Sequence, residues 1–111
     1  MQTIYVEKQI KTPLAVTSAK AKYIQKLLLK AVDDEERVEV DFSNINTLTT
    51  AFLNVAIGDL YAKYDSDTLN KFITINEKSL TALQREKVKL VMQNAKNKLT
   101  NEQVDKELYN G

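Results

Sequence analysis

The stretch that decides the fold runs from Val38 to Tyr61 and reads V-E-V-D-F-S-N-I-N-T-L-T-T-A-F-L-N-V-A-I-G-D-L-Y. Apolar and acidic residues alternate strictly at its start, which predicts a β-strand over Arg37–Phe42. The polar residues Ser43–Asn46 then predict a turn. Apolar residues cover nearly every face of the next segment, which predicts a buried helix over Ala51–Tyr64. A strand, a tight turn and a buried helix therefore follow one another at the centre of the chain.

Strands and helices also alternate on both sides of this centre. A β-α-β-α-β-α order of this kind predicts an α/β domain with a mostly parallel or mixed sheet and helices packed on it. We expect one domain over residues 1–99 and a polar C-terminal extension over residues 100–111, as a short helix or a frayed end. The other predicted elements are a strand Thr3–Glu7, a helix Ser18–Val32 capped by Thr17 or Ser18, a loop Asp65–Asp67, a strand Lys71–Asn76 and a helix Ser79–Leu99.

The composition excludes several classes of site. The 111 residues contain no cysteine, no histidine and only two glycines. Zinc sites of the usual kind, thiol nucleophiles, Ser-His-Asp triads and glycine-rich phosphate loops are therefore ruled out. The chain has no long apolar run and no signal-like N-terminus. We therefore expect a cytoplasmic domain with no membrane partner and no cofactor.

The last predicted helix has a basic bias, which raises the alternative of nucleic-acid binding. The net charge of the chain is only +1, and the basic residues have no aromatic neighbours for stacking on bases. A solvated helix face explains them better than a nucleic-acid groove does. These residues are Arg85, Lys87, Lys89, Lys96 and Lys98.

Asp41 ends the central strand, at the position where α/β folds place their ligands. We expect Asp41, together with Ser43, to organise the turn by accepting hydrogen bonds from backbone N–H groups. The alternative is a small Mg²⁺-dependent phosphoryl-transfer protein in which Asp41 is the metal ligand. That enzyme would need a second acid, and Glu39 projects from the same face of the strand.

Thr49 and Thr50 stand at the start of the buried helix. A hydroxyl there either caps the helix, which contributes about 1 kcal/mol, or is a candidate for phosphorylation. A phosphate would add a charge of about −1.5 to −2 at one spot and would repel or rearrange a docked partner.

The strand-turn-helix stretch resembles the motif of the STAS domain, the fold of bacterial anti-sigma-factor antagonists. In that family the motif reads roughly D-x-S-x-(V/I)-x-x-(hydrophobic)-D-S-(S/A)-G-L. Thr50 falls at the position of the phosphorylatable serine or threonine, while Thr49 replaces the usual aspartate and Phe52 the usual glycine. The residues that match position by position are Asp41, Ser43, Ile45, Leu48 and Leu53.

The chain is more similar to an uncharacterised STAS-like group of bacteria and mobile elements. The signature of that group looks like D-F-S-x-(I/V)-x-x-(hydrophobic)-(T/S)-x-x-F. The resemblance covers about Val16 to Leu99. The residues that supply the signature are Asp41-Phe42-Ser43, Ile45, Leu48, Thr49 and Phe52.

The resemblance implies a non-enzymatic signalling or interaction module that binds a protein partner. For the classical family that partner is an anti-sigma factor with a histidine-kinase-like ATPase fold, and a similar ATPase is the implied partner here. The interaction would be switched by phosphorylation, at Thr50 or Thr49. The partner surface implied for this chain includes Asn44, Asn46, Thr47 and Asn54.

Overall fold

The alternating segment at the centre of the sequence forms the middle strand of a parallel sheet. The computed structural model describes residues 1–110, with side chains as far as residue 96. Its strands are β1 (Gln2–Tyr5), β2 (Leu14–Ala15), β3 (Val38–Asp41), β4 (Thr47–Leu48) and β5 (Ile73–Ile75). One sheet has the strand order β1-β3-β5, and β2 and β4 form a second, two-stranded sheet. All strand pairings among the described residues are parallel.

Helices connect and cover the parallel strands, because neighbouring parallel strands need crossover connections. They are α1 (Val6–Ile10), α2 (Ser18–Asp33), α3 (Thr50–Ala56), α4 (Ser66–Phe72) and α5 (Ala82–Asn110). The largest fully buried side chains include Phe42 after β3, Phe52 on α3, and Ile24 and Leu28 on α2. The core therefore lies between the sheet and the helices, and the predicted α/β class with helices on a parallel sheet is confirmed.

The segments at the centre of the sequence follow the prediction closely. β3 keeps Val38 and Val40 buried, as the alternation requires. Thr17 caps α2 by accepting a hydrogen bond from the Lys20 N–H, and Thr49 caps α3 in the same way. Among the described residues, no helix has the length and apolar character that a membrane span needs.

The predicted first strand, Thr3–Glu7, is wrong at its C-terminal end. β1 stops at Tyr5, and α1 begins at Val6. Val6 and Ile10 are both buried, and their i,i+4 spacing lies on one helical face. Lys11 then ends the helix with a left-handed φ of 61°. The alternation of Ile4 and Val6 is typical of a strand, but Val6 is buried as the first residue of α1 instead.

The predicted helix Ala51–Tyr64 is divided. α3 ends at Ala56, and residues Gly58–Ala62 form a 3-10 helix. Ile57 between them has φ −121° and ψ −49°, outside the helical range. Gly58 disfavours a continuous α-helix, and the tighter 3-10 turn still buries Leu60 and Tyr61.

The segment predicted as a loop, Asp65–Asp67, is the start of a helix. Asp65 caps α4 by accepting a hydrogen bond of 2.7 Å from the Thr68 N–H. Hydrogen bonds from the side chain and from the backbone N–H of Thr68 also lower the pKa of Asp65 below its ordinary value. Because α4 continues to Phe72, the predicted strand Lys71–Asn76 is reduced to Ile73–Ile75.

The last predicted helix starts later and ends later than expected. Glu77–Ser79 form a 3-10 turn, and α5 then covers Ala82–Asn110. The division between a domain over residues 1–99 and an extension over residues 100–111 stays a prediction.

We expect Leu69→Ala to lower the free energy of unfolding by about 2–5 kcal/mol, because its side chain is only 4% exposed on α4. The exposed neighbour Asn70 is the control, and Asn70→Ala should change stability by less than about 0.5 kcal/mol. Urea unfolding measures both. Equal, small effects would show that α4 does not pack on the core as described.

Candidate functional site

The carboxylate of Asp41 holds together three segments at the C-terminal end of the sheet. Its side chain lies at the end of β3, and the residue is only 9% exposed. Oδ1 accepts a hydrogen bond of 2.7 Å from the Ser43 N–H, which forms an Asx turn. Oδ2 accepts one of 3.3 Å from the side-chain amide of Asn76, just after β5. The predicted loop-organising role of Asp41 agrees with this geometry.

Two opposing effects act on the pKa of Asp41. Burial favours the neutral acid and raises the pKa. The hydrogen bonds from the side chain and backbone of Ser43, and from Asn76, favour the ionised form and together outweigh burial. The pKa of Asp41 therefore lies below its ordinary value of 3.8, so the carboxylate is ionised at neutral pH.

Asn76 and Ser79 complete this network, and neither was predicted from the sequence. The Asn76 N–H donates to the Val40 carbonyl at 2.9 Å, which extends the ladder between β3 and β5 by one bond. The Ser79 hydroxyl donates to the Asn76 carbonyl at 2.6 Å. The same hydroxyl accepts a hydrogen bond of 2.9 Å from the Phe42 N–H. The segment after β5 thus fixes the first residue of the loop after β3.

The loop after β3 begins with a tight turn. The Ile45 N–H donates to the Phe42 carbonyl at 3.1 Å. Asn44 has a φ of 67°, and a positive φ at the third residue of such a turn favours glycine or asparagine. Ile45 is buried, whereas Ser43 and Asn44 are exposed. The turn therefore buries one apolar anchor and points polar side chains outward.

The two-residue strands, which the sequence analysis missed, fix the rest of the loop. The Pro13 carbonyl accepts hydrogen bonds from the N–H groups of Asn46 and Thr47, at 2.8 and 3.3 Å. β2 and β4 then pair in parallel, with Ala15 opposite Leu48. Since α2 and α3 each begin shortly after one of these strands, the two helices start side by side.

The first turns of α5 hold the inner side of the loop. Thr81 and Gln84 form a reciprocal capping box, with hydrogen bonds of 3.0 and 3.1 Å. The buried amide of Gln84 also donates to the Ile45 carbonyl at 3.1 Å. Lys87 Nζ donates to the Leu48 carbonyl at 3.0 Å. A T-x-x-Q pattern was visible in the sequence and marks the start of the helix, but not its contacts with the loop.

The two candidate hydroxyls lie in different environments. Thr49 is half-buried, and its Oγ1 accepts a hydrogen bond of 3.1 Å from the Phe52 N–H. The same hydroxyl donates to the Ala15 carbonyl at 3.5 Å. Thr50 is exposed at the first position of α3. Thr49 is thus the helix cap, and Thr50 has the accessible hydroxyl.

The exposed side of the loop and of α3 is polar but uncharged. No charged residue stands between Asp41 and Asp59 in the sequence. We call this the loop surface. Its members share an exposed side chain, and Ser43 and Thr50 join the four residues predicted as a partner surface. The six residues are Ser43, Asn44, Asn46, Thr47, Thr50 and Asn54.

Two exposed leucines border the loop surface. Leu83 is 67% exposed and Leu90 is 51% exposed. They lie four residues before and three residues after Lys87, so they share its side of α5. Because Lys87 reaches the Leu48 carbonyl, these leucines stand next to the loop.

The geometry around Asp41 does not favour the Mg²⁺-dependent alternative. Both oxygens of Asp41 already accept hydrogen bonds from the chain itself. Glu39 lies two residues away on β3, between Thr3 and Thr74 of the neighbouring strands. Among the residues described with side chains, no group of three or more acidic residues could hold a metal ion.

The basic residues of the last helix fall into separate environments. Arg85 and Lys89 are exposed on α5. Lys87 is half-buried against the Leu48 carbonyl. Lys96 is exposed, and Lys98 lies outside the residues whose side chains are described.

We expect Asp41→Asn to lower the free energy of unfolding at pH 7 by about 1–3 kcal/mol, because its new amide would face the amide of Asn76. A lowered folded-state pKa stabilises the fold above the unfolded-state pKa, and this stabilisation is lost as pH falls through the folded-state pKa. The difference in the free energy of unfolding between wild type and variant should therefore become smaller below about pH 4. Urea unfolding across pH measures it. A difference that stays constant across pH would contradict the role of the charge. The control is the exposed residue Glu36, and Glu36→Gln should change the free energy of unfolding by less than about 0.5 kcal/mol.

The turn makes a second prediction. Asn44→Ala should cost about 1 kcal/mol of stability, because it places an alanine in the left-handed region, whereas Asn44→Gly should be nearly neutral. Asn46→Ala is the matched control, since Asn46 has no positive φ. Thermal unfolding of the three variants compares them. Equal costs at positions 44 and 46 would exclude the turn described here.

A known protein family matches the part of the chain that contains this site. A family model described as a STAS-like domain of unknown function (DUF4325) matches residues 20–81. The match contains β3, the loop, α3 and β5, and it spans more than half of the 111 residues. No curated protein and no solved structure matches the chain. The predicted resemblance is thereby confirmed, and the chain belongs to the STAS-like domain family.

Proposed function

We propose that this domain is a non-enzymatic signalling module that binds a protein partner through the loop surface. The proposed partner is an ATPase of the histidine-kinase-like type, as for the anti-sigma factors bound by classical STAS domains. Phosphorylation of Thr50 is the proposed switch. The observation that carries the proposal is a loop whose backbone is fixed from within while its side chains point outward.

The fixed backbone supports binding because little order remains to be imposed when a partner docks. The loop carbonyls of Ile45 and Leu48 are held by α5. By contrast, the side chains of Asn44, Asn46 and Thr47 are exposed and enter none of the hydrogen bonds within the part of the chain described with side chains. A preorganised surface with free donors and acceptors loses less entropy on association.

The chemistry of the loop surface also suits a protein partner. Charged residues are depleted at the centres of protein interfaces, and this surface has none between Asp41 and Asp59. Leu83 and Leu90 add exposed apolar area at its border. The combination offers polar contacts with an apolar flank, and the charge of Lys87 beside it is already partly buried against the Leu48 carbonyl.

The exposed Thr50 hydroxyl supports the switch. Transfer of the γ-phosphoryl group of ATP to Thr50 Oγ1 would release ADP and a proton. It would leave a charge of about −1.5 to −2 in an otherwise neutral surface. The same reaction at Thr49 would first have to break the helix cap and the contact with Ala15. Thr50 is therefore the proposed acceptor.

The experiment titrates the purified domain with a purified ATPase of the histidine-kinase-like type. We expect Thr50→Glu to weaken binding at least tenfold, which is about 1.4 kcal/mol, and Thr50→Val to bind within about twofold of wild type. A glutamate is tolerated in the first turn of a helix, so the variant should keep its fold. After the domain is incubated with the ATPase and Mg-ATP, mass spectrometry should find one phosphate on Thr50.

The matched control introduces the same charge elsewhere. Gln93 is exposed on α5 and is not part of the loop surface, and Gln93→Glu should bind like wild type. If the two Thr50 variants bind equally, the switch is wrong. If wild type does not bind the ATPase at all, the proposed partner is wrong.

A further inference from the structure

Among the residues that the structure describes, no strand pairs with the outer edge of β5. β5 is the last strand in the order β1-β3-β5. The Asn76 N–H points to β3, where it donates to the Val40 carbonyl. The N–H and C=O groups of successive residues point to opposite edges of a strand. Those of Thr74 therefore point to β3, as the Asn76 N–H does, and those of Ile75 point to the open edge. The Ile73 C=O points the same way, while the Ile73 N–H is used by the Leu69 carbonyl.

A groove lies along this open edge. It has a volume of about 310 Å³ and separates β5 from α5. Its apolar residues include Leu80, Val88 and Met92. A smaller recess of about 20 Å³ opens beside it and shares Ile73, Ile75 and Met92. Backbone partners on one side and apolar side chains on the other are what an added strand requires.

The charges of the groove select the occupant. Arg85 and Lys89 line its α5 side, and Glu77 is its single acidic lining residue. The balance is positive, so an acidic segment is favoured. A second copy of this chain is disfavoured, because a symmetric pairing of β5 with β5 would bring Arg85 and Lys89 against their own copies.

We propose that the β5 edge binds an extended, acidic segment of a partner protein as an additional strand. One residue of that segment exchanges two hydrogen bonds with Ile75. On the side of that segment that faces α5, acidic side chains lie towards Arg85 and Lys89, and apolar side chains fill the groove. This surface is distinct from the loop surface, and the inference does not depend on the proposed function.

The first experiment follows amide exchange by NMR. The probe is an acetylated, amidated peptide of seven residues with valine and glutamate in turn at the odd positions, which share one face of the strand, and threonine at the even positions. We expect the Ile75 amide to exchange at least tenfold more slowly with millimolar peptide. The Thr74 amide, which points to β3, is the internal control and should not change.

Modified peptides test the strand geometry. One peptide is N-methylated at all odd positions and another at all even positions. Because alternate N–H groups of a strand point to opposite edges, one modified peptide should lose binding and the other should keep it. If both bind like the parent, or the Ile75 amide stays unprotected, strand addition is overturned.

Charge reversal tests the selectivity. The double variant Arg85→Glu/Lys89→Glu should weaken binding of the acidic peptide at least tenfold and should bind a peptide with lysine at each acidic position. The control Lys22→Glu/Lys26→Glu makes the same change at exposed positions of α2 and should bind like wild type. Equal loss in both double variants would overturn the role of the groove. Ile75 protection that rises with protein concentration alone would identify a second copy as the occupant and overturn the peptide partner.

Discussion

The buried carboxylate of Asp41 is the constraint on which the exposed loop depends. It stands where the central strand ends, and its two oxygens receive one donor from the turn and one from the segment after β5. Low exposure strengthens such bonds and makes an unpaired partner costly. Its bonds to Ser43 and Asn76 fix the direction in which the chain leaves β3, together with the packing of the buried side chains of Phe42 and Ile45.

The remaining part of the loop is fixed by neighbours distant in sequence. Pro13 and Ala15 hold it from one side, while Gln84 and Lys87 hold its carbonyls from another. Each such bond contributes about 1 kcal/mol, and together they leave the outward side chains uncovered. The loop is thus rigid in its backbone and open in its side chains. An ordinary exposed loop lacks such hydrogen bonds to its backbone, whereas this loop presents its exposed side chains from a fixed backbone.

The sequence predicted those features that arise from local patterns. The alternation of Val38 and Val40 gave the central strand, and the threonines before the apolar runs gave the caps of α2 and α3. Asp65 followed by Thr68 was also a local cap signal, so the start of α4 was readable but was interpreted as a loop. Strands of two residues, such as β2 and β4, carry too little periodicity to be recognised.

The contacts that build the site could not be predicted in this way. The bond between Asn76 and Asp41 joins residues 35 apart, and that between Gln84 and Ile45 joins residues 39 apart. Neither produces a spacing pattern in the chain. The resemblance to the STAS domain placed Asp41, Ser43 and Thr50 in one unit. It did not indicate that the hydroxyl of Thr49 would cap α3 and that the hydroxyl of Thr50 would be accessible.

The position of α5 explains how two separate surfaces fit on so small a domain. Gln84 and Lys87 project from the side of the helix that holds the loop. Arg85 and Lys89 project from the side that lines the groove beside β5. Coupling between two sites requires an element with two alternative arrangements. Gln84 is buried and satisfied in its present position, so a displacement of α5 by a segment in the groove would cost its hydrogen bond to the loop. We therefore expect a segment bound in the groove to leave the loop in place.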